Sequence, residues 1–179
     1  MTSKDENKLD LIDESDRGAV IVAAAILEDE LDELLKGIIQ SNKITKKALG
    51  EMFNLNGPLS NFSSKALICY GFGLISKDIF NDLTKIRKLR NKFAHSSGEV
   101  DFLTKEIGDI VASLKCTKNI SKAFEGKRYS PSEKKKYQDW EMRSKGYVKY
   151  TKAVFCLGVS VLQIEIKKVY VEKMLKNAT

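Results

Sequence analysis

The clearest pattern along the chain is a stripe of apolar residues that begins shortly after Asp16. The segment DRGAVIVAAAILEDELDELLKGIIQ repeats apolar residues three and four positions apart and carries acidic residues on the opposite face. The stripe consists of Val20, Ala24, Leu27, Leu31, Leu34, Leu35 and Ile38. This spacing predicts a long amphipathic helix, and Ser15 directly before it is a typical N-cap residue.

Further helix signals follow along the chain. Asn61 or Ser63 can start a short helix through KALICYGFG, which ends at its glycines, and Ser76 caps a helix predicted from about Lys77 to His95. A weaker helical pattern covers residues 104–115. We therefore expect helices in succession, joined by loops rich in Asn, Gly and Ser.

The last third of the chain carries two helix signals. Ser130, Pro131 and Glu133 form a capping-box arrangement, which predicts a helix start. From about residue 147 to 175 a three-four spacing of apolar residues is interrupted only by Lys168. The members of this spacing are Tyr147, Tyr150, Val154, Leu157, Val161, Ile164, Val171 and Leu175. Other faces of this helix are apolar too, so we expect it inside a bundle or at a subunit interface, and we predict a homodimer.

The fold class follows from these helices, because no alternating strand pattern competes with them. We predict an all-α, single-domain multi-helix bundle over residues 1–179. The charged N-terminus is no signal peptide, and the apolar run AVFCLGVSVLQIEI is too short and too polar to span a bilayer, so we expect a cytoplasmic protein without a membrane partner. Three widely spaced cysteines and one histidine supply too few ligands for a zinc site, and we expect neither a metal nor a cofactor.

Positive charge is concentrated in residues 115–152. This segment has twelve Lys or Arg against four acids, a local balance of +8, which exceeds the +7 of the whole chain. Aromatic residues are interleaved with these cations, a composition suited to phosphate contacts and base stacking. The candidate nucleic-acid-binding residues are Lys127, Arg128, Lys134, Lys135, Lys136, Arg143 and Lys145. A lysine-rich surface whose aromatic residues face the core would have the same composition, so both interpretations stay open.

The segment IRKLRNKFAHS contains the single histidine of the chain. With 3.6 residues per turn, Arg90 falls into the apolar stripe that runs to Phe93. A buried arginine needs an acid, and the candidate partner for a structural ion pair is Asp16 on the first helix, or Asp13 one turn earlier, with Asp16 preferred. In this interpretation His95 only places a partial positive charge at the C-terminus of its helix.

A chemical interpretation of the same segment stays open. A guanidinium beside a phosphate and an imidazole that moves a proton could together cleave RNA without a metal. Arg90 and His95 point about 140° apart on an ideal helix, so one copy would present both only with a distorted helix end. Otherwise a second copy would have to complete the site.

Three separated blocks together resemble one known family. ESDRGAVIVAAAILEDELDELL, NGPLSNFSSKALICYGFGLIS and IRKLRNKFAHS are similar to the bacterial mannitol-operon repressors over about residues 13–102. This resemblance implies an all-helical regulator of transcription in a bacterium or phage. The basic segment 115–152 has no counterpart in the resemblance, so operator and effector stay open.

The RNxxxH element, Arg90, Asn91 and His95, resembles the signature of the HEPN superfamily. Many of these helical domains are metal-independent ribonucleases of toxin and defence systems, and they usually dimerise so that two motifs meet. The resemblance implies a HEPN-like fold and makes the three residues catalytic candidates in a ribonuclease. The primary hypothesis is a transcriptional regulator, with a ribonuclease and a pure protein-interaction module as alternatives; DNA, RNA and a protein all stay open as partners.

Overall fold

The structure is a computed structural model. It describes the backbone of residues 11–96, 100–120 and 140–177 and the side chains of residues 11–96, 100–120 and 150–175. Within these ranges the chain is helical and has no strand, which confirms the predicted all-α class. The main helices are α1 (Asp16–Ser41), α2 (Lys46–Phe53), α3 (Phe62–Gly71), α4 (Lys77–His95), α5 (Lys105–Ser113) and α6 (Trp140–Asn177).

Local capping fixes where several helices begin. The hydroxyl of Ser15 accepts a hydrogen bond from the Gly18 amide at 3.0 Å, and α1 begins at Asp16 as predicted. The Asn61 side chain accepts from the Ser64 amide at 3.0 Å, which selects Asn61 over Ser63 as the cap of α3.

The helix α4 spans the predicted residues 77–95. The Ser76 hydroxyl caps it by accepting from the Ile79 amide at 3.2 Å. Upstream, α3 ends where Gly73 adopts a φ of +66°, a left-handed conformation that suits glycine after a helix. The glycine stop in GFG is therefore confirmed.

Two parts of the helix assignment differ from expectation. The sequence pattern did not predict α2, which Thr45 caps through the Ala48 amide at 3.2 Å and which buries no residue. The helix α5 ends at Ser113, two residues short of the predicted range. The helix start predicted at Ser130 and Pro131 lies outside the described residues.

The chain divides into two compact units. The first contains the described residues of Met1–Ala23 and Leu89–Val159, and the second contains Ala24–Lys88 and the described residues of Ser160–Thr179. The helices α1, α4 and α6 each contribute residues to both units. The single-domain assignment stays a prediction.

Aromatic packing organises the core of the first unit. Phe93 on α4 lies 5.8 Å from Phe102, between ring centroids, and Phe102 lies 5.6 Å from Phe155 on α6. All three rings are fully buried, and burial of each such side chain stabilises a fold by roughly 1.5–3 kcal/mol. This chain of rings fixes the end of α4 against α6 and the segment that precedes α5.

The core of the second unit combines aliphatic residues with two buried polar clusters. Leu27, Leu31 and Leu34 on α1 are fully buried. Lys65 on α3 contacts Glu28 at 2.8 Å and Asp32 at 2.7 Å. The Glu30 carboxylate accepts from Gln163 at 3.1 Å and pairs with Lys167 at 3.1 Å, both on α6.

Within the described ranges, none of the helices combines the length and the apolar character needed to cross a bilayer.

Candidate functional site

The candidate site occupies the last two turns of α4, in the first unit. Leu89 and Phe93, four residues apart on one face, are fully buried and anchor these turns. Arg90 and His95 are exposed, and Asn91 is half-buried. The helix therefore presents two of the three motif side chains to solvent while its apolar face holds it in place.

The predicted burial of Arg90 is wrong. Its guanidinium is exposed and donates a hydrogen bond to the Asn91 side-chain oxygen at 3.2 Å. Leu89, not Arg90, continues the buried stripe to Phe93. Both positions are compatible with the apolar spacing, but a long cationic side chain at the edge of the stripe can reach water.

The predicted ion pair between Arg90 and Asp16 is wrong for the same reason. Asp16 accepts a hydrogen bond from the Phe102 amide at 3.1 Å, and its other oxygen lies 3.7 Å from the ammonium of Lys152. Lys152 is buried and also donates to the Glu14 carbonyl. Asp16 therefore does pair with a buried cation, but that cation comes from α6.

Arg17 is a site residue that the sequence analysis missed. Its guanidinium donates to the Ser96 carbonyl oxygen at 3.0 Å and lies 3.5 Å from the Ser96 hydroxyl. A cation on a carbonyl just after a helix C-terminus is favourable because the helix dipole is negative there. The contact joins residues 79 positions apart, and no spacing rule reveals such a pair.

His95 ends α4 with an exposed ring that has no hydrogen-bond partner among the described residues. The Ser96 amide still donates to the Lys92 carbonyl at 3.1 Å, so the helical hydrogen bonding continues to this end without distortion. Arg90 and His95 consequently keep the angular separation of a regular helix. Of the two arrangements considered for catalysis, only completion by a second copy remains.

The residues predicted to bind nucleic acid lie outside the side chains that the structure describes. Lys127, Arg128 and the lysines at 134–136 lie outside the described residues, and Arg143 and Lys145 lie on α6 with side chains outside them. Lys115 and Lys118, at the start of the basic segment, are exposed. Lys152, at its end, is buried against Asp16 and contributes no free surface charge.

Metal-binding and thiol chemistry receive no support from the described residues. Within them, no group of three or more His, Cys, Asp or Glu side chains could hold a metal ion. Burial raises the pKa of Cys69 to about 12. It also raises the pKa of Cys156, to about 11, although nearby Lys152 opposes the shift. Thiols with such pKa values are poor nucleophiles at neutral pH.

Comparison with known proteins gives two positive findings. The model of a family described as mannitol repressor matches residues 7–167. Among solved structures, the chain is similar to one reported as the X-ray structure of the MtlR-HPr complex from Escherichia coli, with a TM-score of 0.68 and 19% identity over 89% of this chain and 97% of that one. A comparison with curated proteins found no significant match. At 19% identity the structural likeness shows the fold alone.

Proposed function

This chain belongs to the mannitol repressor family, and we propose that it is a regulatory protein that acts on transcription by binding a partner protein. The family match over residues 7–167 is the observation that carries this proposal. The Escherichia coli protein of the same fold was solved in complex with HPr, which supports a protein as the partner. We therefore take HPr, or a protein like it, as the first partner to test.

The surface proposed for this contact is the exposed end of α4. Arg90 uses one donor on Asn91 and has no acid partner among the described residues, so most of its five N–H donors are open. A guanidinium held on a rigid helix suits bidentate contact with a carboxylate or phosphate of a partner. Arginine is also among the residues that most often dominate interface energies.

The test is calorimetric titration of the full chain with purified HPr from Escherichia coli and from the source organism. Arg90→Ala should raise the dissociation constant about thirtyfold or more, which corresponds to the loss of about 2 kcal/mol or more at an interface hot spot. Lys88→Ala is the matched control, because Lys88 is an exposed cation on α4 that points about 160° away from Arg90. If wild type does not bind HPr, the proposed partner is wrong. If Arg90→Ala binds HPr as tightly as Lys88→Ala does, the proposed surface is wrong.

A metal-independent ribonuclease is the second candidate, and the exposure of Arg90 and His95 favours it. Neither side chain is occupied by a structural ion pair among the described residues, so both are available to a substrate. Because α4 stays regular, catalysis would require motifs from two copies. RNA cleavage that resists EDTA, and that His95→Ala abolishes at unchanged melting temperature, would establish it, since general acid-base help is worth roughly 10²- to 10⁴-fold. We expect no such cleavage.

A further inference from the structure

The C-terminal part of α6 has two apolar faces, and among the described residues one of them is covered and the other is exposed. In the second unit, Leu162 and Ile166 are buried. On the opposite side, Ile164, Val171 and Leu175 are 55%, 51% and 65% exposed. Such a row of large aliphatic side chains is unusual for a surface that faces only water.

The exposed row follows a heptad repeat. Val161, Lys168 and Leu175 occupy a positions, and Ile164 and Val171 occupy the d positions between them. The buried residues Leu162 and Ile166 fall at b and f, on the far side of the helix. The repeat therefore separates the face that packs within this chain from a seam that a second helix would fill.

We propose that this seam, residues 161–175 of α6, pairs in parallel with the same seam of a second copy of the chain. The charges that flank the seam favour a second copy of the same helix in parallel orientation. In a parallel pair each g residue meets the e residue five positions later on the other helix, which sets Lys167 against Glu172 twice. An antiparallel pair would instead bring the acids Glu165 and Glu172 together at e against e, and it would leave Lys167 without an acid across the seam, because Lys167 is the single charged residue at the g positions.

Two details of the seam fit a two-stranded pair. Lys167 pairs with Glu30 of its own chain, but its side chain is 48% exposed and an ammonium has three donors, so it can serve both acids. Lys168 is the single polar residue among the a and d positions. One lysine at an a position weakens a coiled coil but fixes its register and strand number. This inference is independent of the proposed contact with HPr.

Sedimentation of the full chain at micromolar concentration tests the pairing. Wild type should sediment at twice the chain mass, and Ile164→Glu should sediment as a monomer that still unfolds in one cooperative transition. Leu67→Glu is the matched control, because Leu67 on α3 is 57% exposed but lies outside the seam, and its variant should stay dimeric. Should Ile164→Glu fail to fold, Val171→Glu replaces it. A monomeric wild type, or a dimer that Ile164→Glu leaves intact, would overturn the proposal.

Two more variants test the geometry. Lys168→Val should lower the dissociation constant roughly tenfold or more, because it removes the polar residue from the seam. Leu175→Cys should form an intermolecular disulfide under mild oxidation, since a residues face each other in a parallel pair, and wild type with its three native cysteines is the control. A weaker Lys168→Val dimer, or no cross-link above the wild-type level, would refute the parallel seam.

Discussion

Replacing Lys65 with methionine should destabilise the fold more than any exposed lysine would. The side chain of Lys65 is only 7% exposed and binds two acids of α1, Glu28 and Asp32. Methionine keeps most of the apolar stem but removes the charge. The two carboxylates, four residues apart on one helix face, then lose their shared cation and repel each other.

The size of the expected loss in the free energy of unfolding depends on how exposed the two acids are to water. Removing one partner of a fully buried pair costs about 3–5 kcal/mol of the free energy of unfolding. Glu28 and Asp32 are 33% and 21% exposed, and Lys36 stays 3.2 Å from Asp32. Water and Lys36 therefore offset part of the loss, and we expect about 2–3 kcal/mol for Lys65→Met. In a chain of this size that corresponds to a fall in melting temperature of roughly 4–12 °C.

Urea denaturation followed by circular dichroism measures the change. Lys47→Met is the control, because Lys47 pairs with Glu51 at 4.0 Å on the surface of α2 and should contribute about 0.3–0.5 kcal/mol. If Lys65→Met lowers the free energy of unfolding no more than Lys47→Met does, the attraction between Lys65 and its two acids only offsets the cost of removing them from water. That result would refute a stabilising role for the buried ion pairs. Replacing Glu28 and Asp32 with Gln and Asn in the same chain should recover part of the loss, because neither position then carries an acid without its Lys65 cation, while the half-exposed Lys36 keeps its charge in water.

The pH dependence gives an independent check. Burial by itself lowers the pKa of Lys65, but its hydrogen bonds to Asp32 and Glu28 outweigh burial, so the pKa is raised above 10.5. A group whose pKa is raised by folding adds stability below its unfolded value and loses it as the pH rises through its folded value. The stability gap between wild type and Lys65→Met should thus be constant near neutrality and shrink above about pH 10.5. A gap that widens with alkaline pH would contradict this sign.

Three further predictions test other parts of the fold and the basic segment. Gly158→Ala should lower the free energy of unfolding by about 1–3 kcal/mol, because the added methyl would lie 2.8 Å from the Thr117 side chain. Gly50→Ala on α2 is the control in the same urea assay. Its methyl meets nothing within 4 Å, so this change should raise the free energy of unfolding by about 0.5–1 kcal/mol. Asp16→Asn should cost roughly 1–2 kcal/mol, measured by thermal melting, because it leaves the buried cation of α6 without its acid. If the basic segment binds nucleic acid, reversing the lysines at 134–136 to Glu should weaken binding to all sequences alike, and unchanged binding across a salt titration would contradict phosphate contact.

Helix starts were readable from the sequence because capping is local. Ser15, Asn61 and Ser76 each bond an amide three residues later, and such a contact depends on neighbouring residues alone. By contrast, α2 is only eight residues long, so Leu49, Met52 and Phe53 give a single three-four repeat, and none of them is buried, although Thr45 at its start is an ordinary cap. Periodicity identifies long helices more readily than helices of two turns, because the repeat must recur to stand out.

The candidate site was predictable in its position and not in its contacts. The motif on α4 was found from its unusual residues, and the structure places Arg90 and His95 exposed at the end of that helix, although the sequence predicted a buried Arg90. The partners of Asp16 and Arg17, however, lie between 79 and 136 residues away, on Ser96, Phe102 and Lys152. Which cation reaches Asp16 depends on how the helices pack, and spacing along one helix cannot supply that information.

The same limit applies to charge counted along a sequence. Lys152 contributes one positive charge to the +8 balance of the basic segment. Its ammonium is buried against Asp16 and the Glu14 carbonyl, so it does not contact a phosphate of a bound nucleic acid. Seven other cations of this segment were predicted to contact phosphates. If all seven did so on duplex DNA, the logarithm of the binding constant would fall by about 6 for each log unit of salt concentration. Because the three lysines at 134–136 belong to that set, their removal should reduce the slope by about 3. A measured slope therefore counts the cations that face the nucleic acid, which the sequence total cannot do.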